Sequence, residues 1–326
     1  MNNHTHQSTK RFVYGFQIAE HYCTITMPRN NVVENCLPSF GAFLSHNIPV
    51  RDPILTIDLQ LDSILPEVTN VKLLNNQSIA WGDRFRFEEW EQGYITSIQS
   101  EGGLKQWKMF SSKDFKVSTI YGVEKELENT NILSWLFMVA FGQAALIHHT
   151  LLVHASVVQI GRNAVAFLGK SGTGKSTHSK LWCNYIENCS LLNDDNPAIR
   201  IKEDGTTWIY GTPWSGKTAC YKQEKARLVG AVRLEQAAKN YWTPSTPKLS
   251  LLWLMPSFSA LRWNSILFES MLSSLELIIK DVNVGKLSCK PDEEAVRISY
   301  KHAFDKENIT GADIDVKNLP FVYSVK

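Results

Sequence analysis

Eight consecutive residues constrain this chain more than any others: Gly169-Lys170-Ser171-Gly172-Thr173-Gly174-Lys175-Ser176 fits G-x-x-x-x-G-K-[ST] at every fixed position. The spacing has a chemical reason. Glycines let consecutive backbone N–H groups curl around a phosphate, the lysine reaches the β and γ oxygens, and the final hydroxyl can ligate Mg²⁺. The flanks fit as well. Residues 164–168 (Ala-Val-Ala-Phe-Leu) are an apolar run of strand length, and residues 177–187 carry Leu181, Trp182, Tyr185 and Ile186 on one helical face. Strand, glycine loop and helix in that order aim the free N–H groups and positive dipole end of the helix at an anion. Thr177, directly after the loop, belongs to the same phosphate cradle.

Composition narrows the remaining classes. The chain has 326 residues, 44% of them hydrophobic, enough for two ordinary domains with sizeable cores. Thirty-four Lys+Arg against 32 Asp+Glu leave a formal charge of +2. With no basic block, neither nucleic acid nor an anionic membrane is an expected partner. Cys23, Cys36, Cys183, Cys189, Cys220 and Cys289 form no C-x-x-C pair and no metal-ligand spacing, which fits a reduced cytoplasmic compartment. Met1-Asn2-Asn3-His4-Thr5-His6-Gln7 lacks the charged start and apolar core of a signal peptide, so export is not expected. Residues 132–147 are mostly apolar, yet shorter than the ~20 a bilayer span needs. They read as a buried helix.

Two regions emerge along the chain. Residues 1–128 read as a β-rich domain, with strands expected at 54–61, 84–89, 94–99, 105–110 and 116–121 and turns at Gly82-Asp83, Gly93 and Gly102-Gly103. Trp81, Phe85, Phe87, Trp90, Tyr94, Trp107 and Phe110 supply its core and interface. Residues 129–326 hold the loop. The buried helix opens this second region, a strand at 151–160 follows, and the short turn Gly161-Arg162-Asn163 leads into the strand before the loop. So short a turn joins only antiparallel neighbours. The fold class is therefore α/β with a mixed sheet, carrying an antiparallel hairpin ahead of the loop. Further strands are expected at 190–195, 197–201, 206–210, 229–234, 248–254 and, edge-like, 286–289, with helices at 261–280 and from Pro291 onward.

Asp194 and Asp195 follow Lys175 by 19 and 20 positions, room for one helix and a returning strand. Two carboxylates beside Mg²⁺ and a triphosphate suggest a division of labour, one holding metal and one taking a proton from an attacking hydroxyl. A turn cap before Pro197 is the structural alternative. His154 lies in the strand that hairpins onto the loop strand and is either a site residue or a satisfied core histidine. Lys217, in the second small-residue loop Gly211-Thr212-Pro213-Trp214-Ser215-Gly216-Lys217-Thr218, is either another phosphate contact or a solvated lysine. Trp214 beside it fits a lid, a stacking residue or hydrophobic padding.

His154-Ala155-Ser156 with its hairpin, the loop 169–176 and the apolar strand into Asp194-Asp195 together resemble the catalytic domain of HPr kinase/phosphorylase, a relative of ATP-dependent phosphoenolpyruvate carboxykinase. The resemblance covers residues 150–305. It implies a P-loop kinase core of that type, with His154 and Lys175 at the active site, Asp194 as catalytic base and Ser176 and Asp195 at the metal. That family's Glu-x-Arg-Gly segment is replaced here by Trp208-Ile209-Tyr210-Gly211. HPr as substrate and the reverse phosphorylase reaction are therefore not implied. The chain is similar instead to divergent members found with ribosomally made peptides, including lasso-peptide precursor kinases. The expectation is an ATP- and Mg²⁺-dependent kinase acting on a serine hydroxyl of a peptide or protein, recognised with help from the N-terminal domain. A free-serine kinase, a non-catalytic nucleotide-binding regulator and a homo-oligomer stay open.

Overall fold

Period-two alternation builds the first sheet. The computed structural model describes residues 10–29, 32–45, 52–76, 85–99, 106–216 and 218–304. In β3 (Leu55–Leu61), Leu55, Ile57 and Leu59 are fully buried while Thr56, Asp58 and Gln60 between them are half-buried. Its companions are β1 (Phe12–Ile18), β2 (His21–Met27), β4 (Lys72–Asn75), β5 (Phe85–Trp90), β6 (Gly93–Gln99), β7 (Gln106–Ser112) and β8 (Val117–Gly122). They are ordered β1-β2-β3-β8-β7-β6-β5-β4. β3 runs parallel to both its neighbours, and every other pair is antiparallel. A short helix, α1 (Val32–Cys36), precedes β3, and α2 (Ile132–Ala144) follows β8.

The five strands expected in this region are β3, β5, β6, β7 and β8. Phe85, Phe87, Tyr94 and Trp107 are buried, as a core role requires. Trp90 and Phe110 are half-buried and meet edge to face at 5.9 Å. Trp81, both turns Gly82-Asp83 and Gly102-Gly103, and the first residues of the expected strands at 84 and 105 lie outside the described residues.

Helix α2 packs on β3, β7 and β8, and Phe137 reaches the rings of Phe16 at 5.9 Å and Phe40 at 5.1 Å. The sequence reading gave this helix to the second domain. Contacts divide the chain instead into Met1–Ala144 and Ala145–Lys326, because the apolar surface of α2 completes the first core. Among the described residues no helix is long and apolar enough to cross a membrane.

The second unit is built on a nine-stranded mixed sheet among the described residues. Its strands are β9 (Thr150–Leu152), β10 (Ala155–Ile160), β11 (Asn163–Leu168), β12 (Cys189–Asp195), β13 (Ala198–Ile201), β14 (Thr207–Tyr210), β15 (Lys225–Gln236), β16 (Tyr241–Pro244) and β17 (Asn283–Cys289). Its helices are α3 (Lys175–Tyr185), α4 (Pro247–Leu254), α5 (Ser265–Asp281) and α6 (Glu293–Ala303). The main order is β12-β10-β11-β15-β14-β13-β9. β10 and β11 are antiparallel and joined through Gly161, whose φ of 57° suits a tight turn, while β11 and β15 are parallel. The sheet is therefore mixed, as the short turn demands.

Three expectations need correction. The run 151–160 is two strands: β9 pairs with β13, β10 pairs with β11 and β12, and His154 sits in the break. Residues 248–254 are helical, since Thr246 accepts a hydrogen bond from the Leu249 N–H and Pro247 stands at the first helical position, both helix-start signals that outweigh a short Leu-rich stretch. β17 is no edge, because it lies between β15 and β16.

Candidate functional site

The glycine loop takes the backbone shape its residue types allow. Gly172 and Gly174 adopt φ of 81° and 97°, in the left-handed region that disfavours side chains. Gly169 allows a close approach: a Cβ there would meet Thr173 Oγ1 at 2.4 Å. Thr173 closes the turn through its N–H and hydroxyl, both donating to Lys170 O, and Gln236 at the end of β15 donates to Gly172 O at 3.2 Å. Gly174 then caps α3 without a side-chain hydrogen bond, which leaves N–H groups of the first turn open to an anion. Lys170, Ser171, Gly172, Ser176 and Thr177 are exposed, whereas Thr173, Gly174 and Lys175 are half-buried.

The register of α3 over the sheet is set by buried contacts. Ser179 and Ser156 share a hydrogen bond at 2.7 Å, and the Phe167 ring packs edge to face on His178 at 4.7 Å and on Trp182 at 5.2 Å. Trp182 Nε1 and His178 Nε2 both meet Ser299 Oγ at 3.0 Å, tying α3 to α6. Burial pushes the His178 imidazole down to about 4, so it is neutral in the fold.

Around the loop, five side chains join in two chains of contact. Ser176 Oγ donates to Asp194 Oδ1 at 2.8 Å. Lys175 Nζ lies 2.9 Å from Gly169 O, 3.2 Å from Lys170 O and 3.0 Å from His154 Nε2, while His154 Nδ1 is 3.0 Å from Asp195 Oδ1. An ammonium can only donate, so Nε2 accepts and Nδ1 carries the proton given to Asp195. Burial, opposed by Asp195 and Asp194 and reinforced by Arg233, holds the Lys175 ammonium below its ordinary value.

The two aspartates differ in surroundings. Side chains alternate across a strand, so neighbours on β12 face apart. Asp194 is 6% exposed and committed to Ser176. The Asp195 and His154 side chains are each 36% exposed. His154 is therefore not a buried core histidine; its own N–H donates to Ser257 O at 2.7 Å, which fixes the strand break.

The sequence gave no warning of the polar knot beneath the pair. Asn193, fully buried, donates from Nδ2 to Thr212 O, Thr212 Oγ1 and Trp214 O at 3.5, 3.4 and 3.3 Å. Gly216 N donates to Asp194 O at 2.7 Å, and Ser215 bridges Asp195. The second small-residue loop thus lies against the aspartates. Trp214 is 5% exposed, which fits padding rather than a lid or stacking residue. Lys217 lies outside the described residues. Arg233 was also missed as a cation near Lys175. Nothing in the spacing marks it, because Arg233 comes to the loop only through the parallel pairing of β15 with β11, which sets it opposite Leu168.

No family model and no curated protein matches this sequence. The local chemistry therefore carries the reading. Among the described residues no group of three or more His, Cys, Asp or Glu is arranged to hold a metal. Ser176 Oγ and Asp194 Oδ1, side by side at the start of α3, are two hard oxygens of the kind that could hold a Mg²⁺ ion. A cavity of about 370 Å³ lined in part by Trp242, Ser245, Ser250 and His302 shares no residue with the loop.

Proposed function

We propose that this protein is an ATP-dependent kinase that transfers the γ-phosphate to a serine hydroxyl of a peptide or protein. One observation carries the reading: the two contact chains Ser176–Asp194 and Lys175–His154–Asp195 meet at a loop whose backbone leaves N–H groups free. A loop that merely turned the chain would need neither a carboxylate on its serine nor a histidine between its lysine and a second carboxylate. The antiparallel β10–β11 hairpin ahead of the loop further supports a core of the HPr kinase/carboxykinase type.

In this reading Lys175 exchanges the carbonyls of Gly169 and Lys170 for phosphate oxygens, and the first-turn N–H groups of α3 bind the same anion. Mg²⁺, when bound by Ser176 and Asp194, neutralises phosphate charge. Asp195 accepts the proton of the acceptor hydroxyl, and His154 orients it through the Nδ1 hydrogen bond. This exchanges the roles that the family resemblance implies for the two aspartates. The reason is access: a base has to reach the acceptor, and Asp195 is partly exposed while Asp194 is enclosed and occupied.

A peptide or protein acceptor is supported by the first unit, whose sheet among the described residues ends at β4, the β1 end being partly covered where Ser45 N donates to Gly15 O and Leu44 bridges Phe16. An extended peptide can add to such an edge through main-chain hydrogen bonds. The test is the fate of the γ-phosphate in the full chain with Mg²⁺ and ATP, followed by mass spectrometry with serine-containing peptides, with free serine and with neither. Phosphoserine in a peptide is expected. Transfer only to free serine would overturn the peptide acceptor, and ATP left intact with every acceptor would overturn the kinase.

A further inference from the structure

Six cysteines contribute nothing to the chemistry above, but two of them meet. Cys183 lies in the last turn of α3 and Cys189 is the first residue of β12. The intervening Ile186 N–H caps the helix on Trp182 O, and Asn188 turns the chain back with φ of 56°. That reversal sets Cys189 Sγ 3.9 Å from Cys183 Sγ, with both residues half-buried and neither disulfide-bonded. Bond formation requires the sulfurs to approach to about 2.05 Å. Side-chain rotation at a helix end followed by a short turn can close most of that gap.

The surroundings give the two thiols different characters. Cys183 accepts the S–H of Cys189, which favours its thiolate, and the Lys222 ammonium acts in the same direction, while burial opposes both. Cys189, as donor and with burial added, is held strongly towards the thiol. Cys220, by contrast, is 7% exposed, bonds to Leu192 O at 3.3 Å, and is pushed up by burial.

We propose that Cys183 and Cys189 form a peroxide-oxidisable pair, in which Cys183 is the reacting thiolate and Cys189 resolves it to a reversible disulfide. The Cys183 sulfur attacks one oxygen of hydrogen peroxide, forming an S–O bond and breaking O–O; hydroxide leaves and is protonated to water. The Cys189 sulfur then attacks the Cys183 sulfur of the sulfenic acid, forming S–S and breaking S–O. The leaving hydroxide takes up the Cys189 proton as a second water. Two thiols are oxidised and one peroxide is reduced. The bond would tie the far ends of the two elements whose near ends carry Lys175-Ser176 and Asp194-Asp195. It does not depend on what those residues do.

The test uses the full chain, treated with hydrogen peroxide, blocked with an alkylating agent and digested without reduction. Mass spectrometry is expected to find Cys183 and Cys189 joined, two hydrogens lighter than the separate peptides and separated again by dithiothreitol. Cys189→Ser should stop at a Cys183 sulfenic acid trapped by dimedone, and Cys183→Ser should leave Cys189 reduced, each at unchanged melting temperature. The proposal is overturned if Cys220 or Cys289 is oxidised while Cys183 stays reduced, if Cys183 links to Cys220, or if the wild type accumulates unresolved sulfenic acid or shows no oxidation.

Discussion

Asp194 and Asp195 share a residue type and adjoin in sequence, yet their surroundings differ: Asp194 is enclosed and bonded to Ser176, while Asp195 is partly exposed and meets His154. Asp194→Asn keeps an oxygen for Ser176 but removes the charge that would face a divalent cation. Its expected outcome is a Mg·ATP affinity at least tenfold weaker by calorimetry, with the melting temperature little changed. Unchanged affinity would remove Asp194 from the metal. His178 offers a prediction about stability. Its folded value of about 4 lies below the ordinary 6.5, so as pH falls through that window the unfolded chain takes a proton that the folded chain refuses. Stability is therefore lost on acidification from 6.5 and levels off below about 4, a loss of about 3 kcal/mol at full extent. His178→Gln should flatten this part of the urea-unfolding pH profile, and an unchanged slope would refute the assignment. The glycine loop and both aspartates were legible as residues, since the motif and the spacing that follows it stand in the sequence itself. Their separate contacts were not, because the pairing of Asp194 with Ser176 and of Asp195 with His154 depends on how β12 and the break at His154 meet the start of α3.

At the level of elements, α3 delivers the loop, and Trp182 is its deepest anchor, fully buried between Phe167 and Tyr300 with its ring N–H on Ser299. Trp182→Ala is expected to cost about 3–5 kcal/mol in chemical unfolding. A cost under about 1 kcal/mol would mean that α3 is held elsewhere. Elements with turn residues between them were readable, among them β10–β11 through Gly161. The β1–β2 hairpin was invisible for the converse reason. Its two turn residues, Ala19 and Glu20, take φ of 50° and 62°, where Asn-Gly would be the recognisable choice. The α4 segment misled because so short a Leu-rich stretch has no period to separate helix from strand, and its capping threonine was not weighed. Likewise a stretch with no glycine, proline, asparagine or aspartate across 150–160 conceals the change of partner at His154, which only pairing reveals.

For the whole molecule, the two units divide after α2, not before it. A fragment beginning at Asn129 would carry α2 with its apolar surface stripped of β3, β7 and β8, whereas one beginning at Ala145 would not. The longer fragment is expected to bind a hydrophobic dye and aggregate in gel filtration, and the shorter to elute as a discrete species. The reverse result would assign α2 to the second unit. The central claim concerns what the complete chain does with a triphosphate, and it rests on the relay from Lys175 through His154 to Asp195. The measurement that tests it most directly is the rate of γ-phosphate transfer by Asp195→Asn in the full chain, taken with its Mg·ATP affinity in the same preparation. The account predicts affinity within severalfold of wild type and transfer slowed by on the order of 10²- to 10⁴-fold, the range for a lost general base. Transfer at the wild-type rate in that variant, with ATP bound normally, would contradict it.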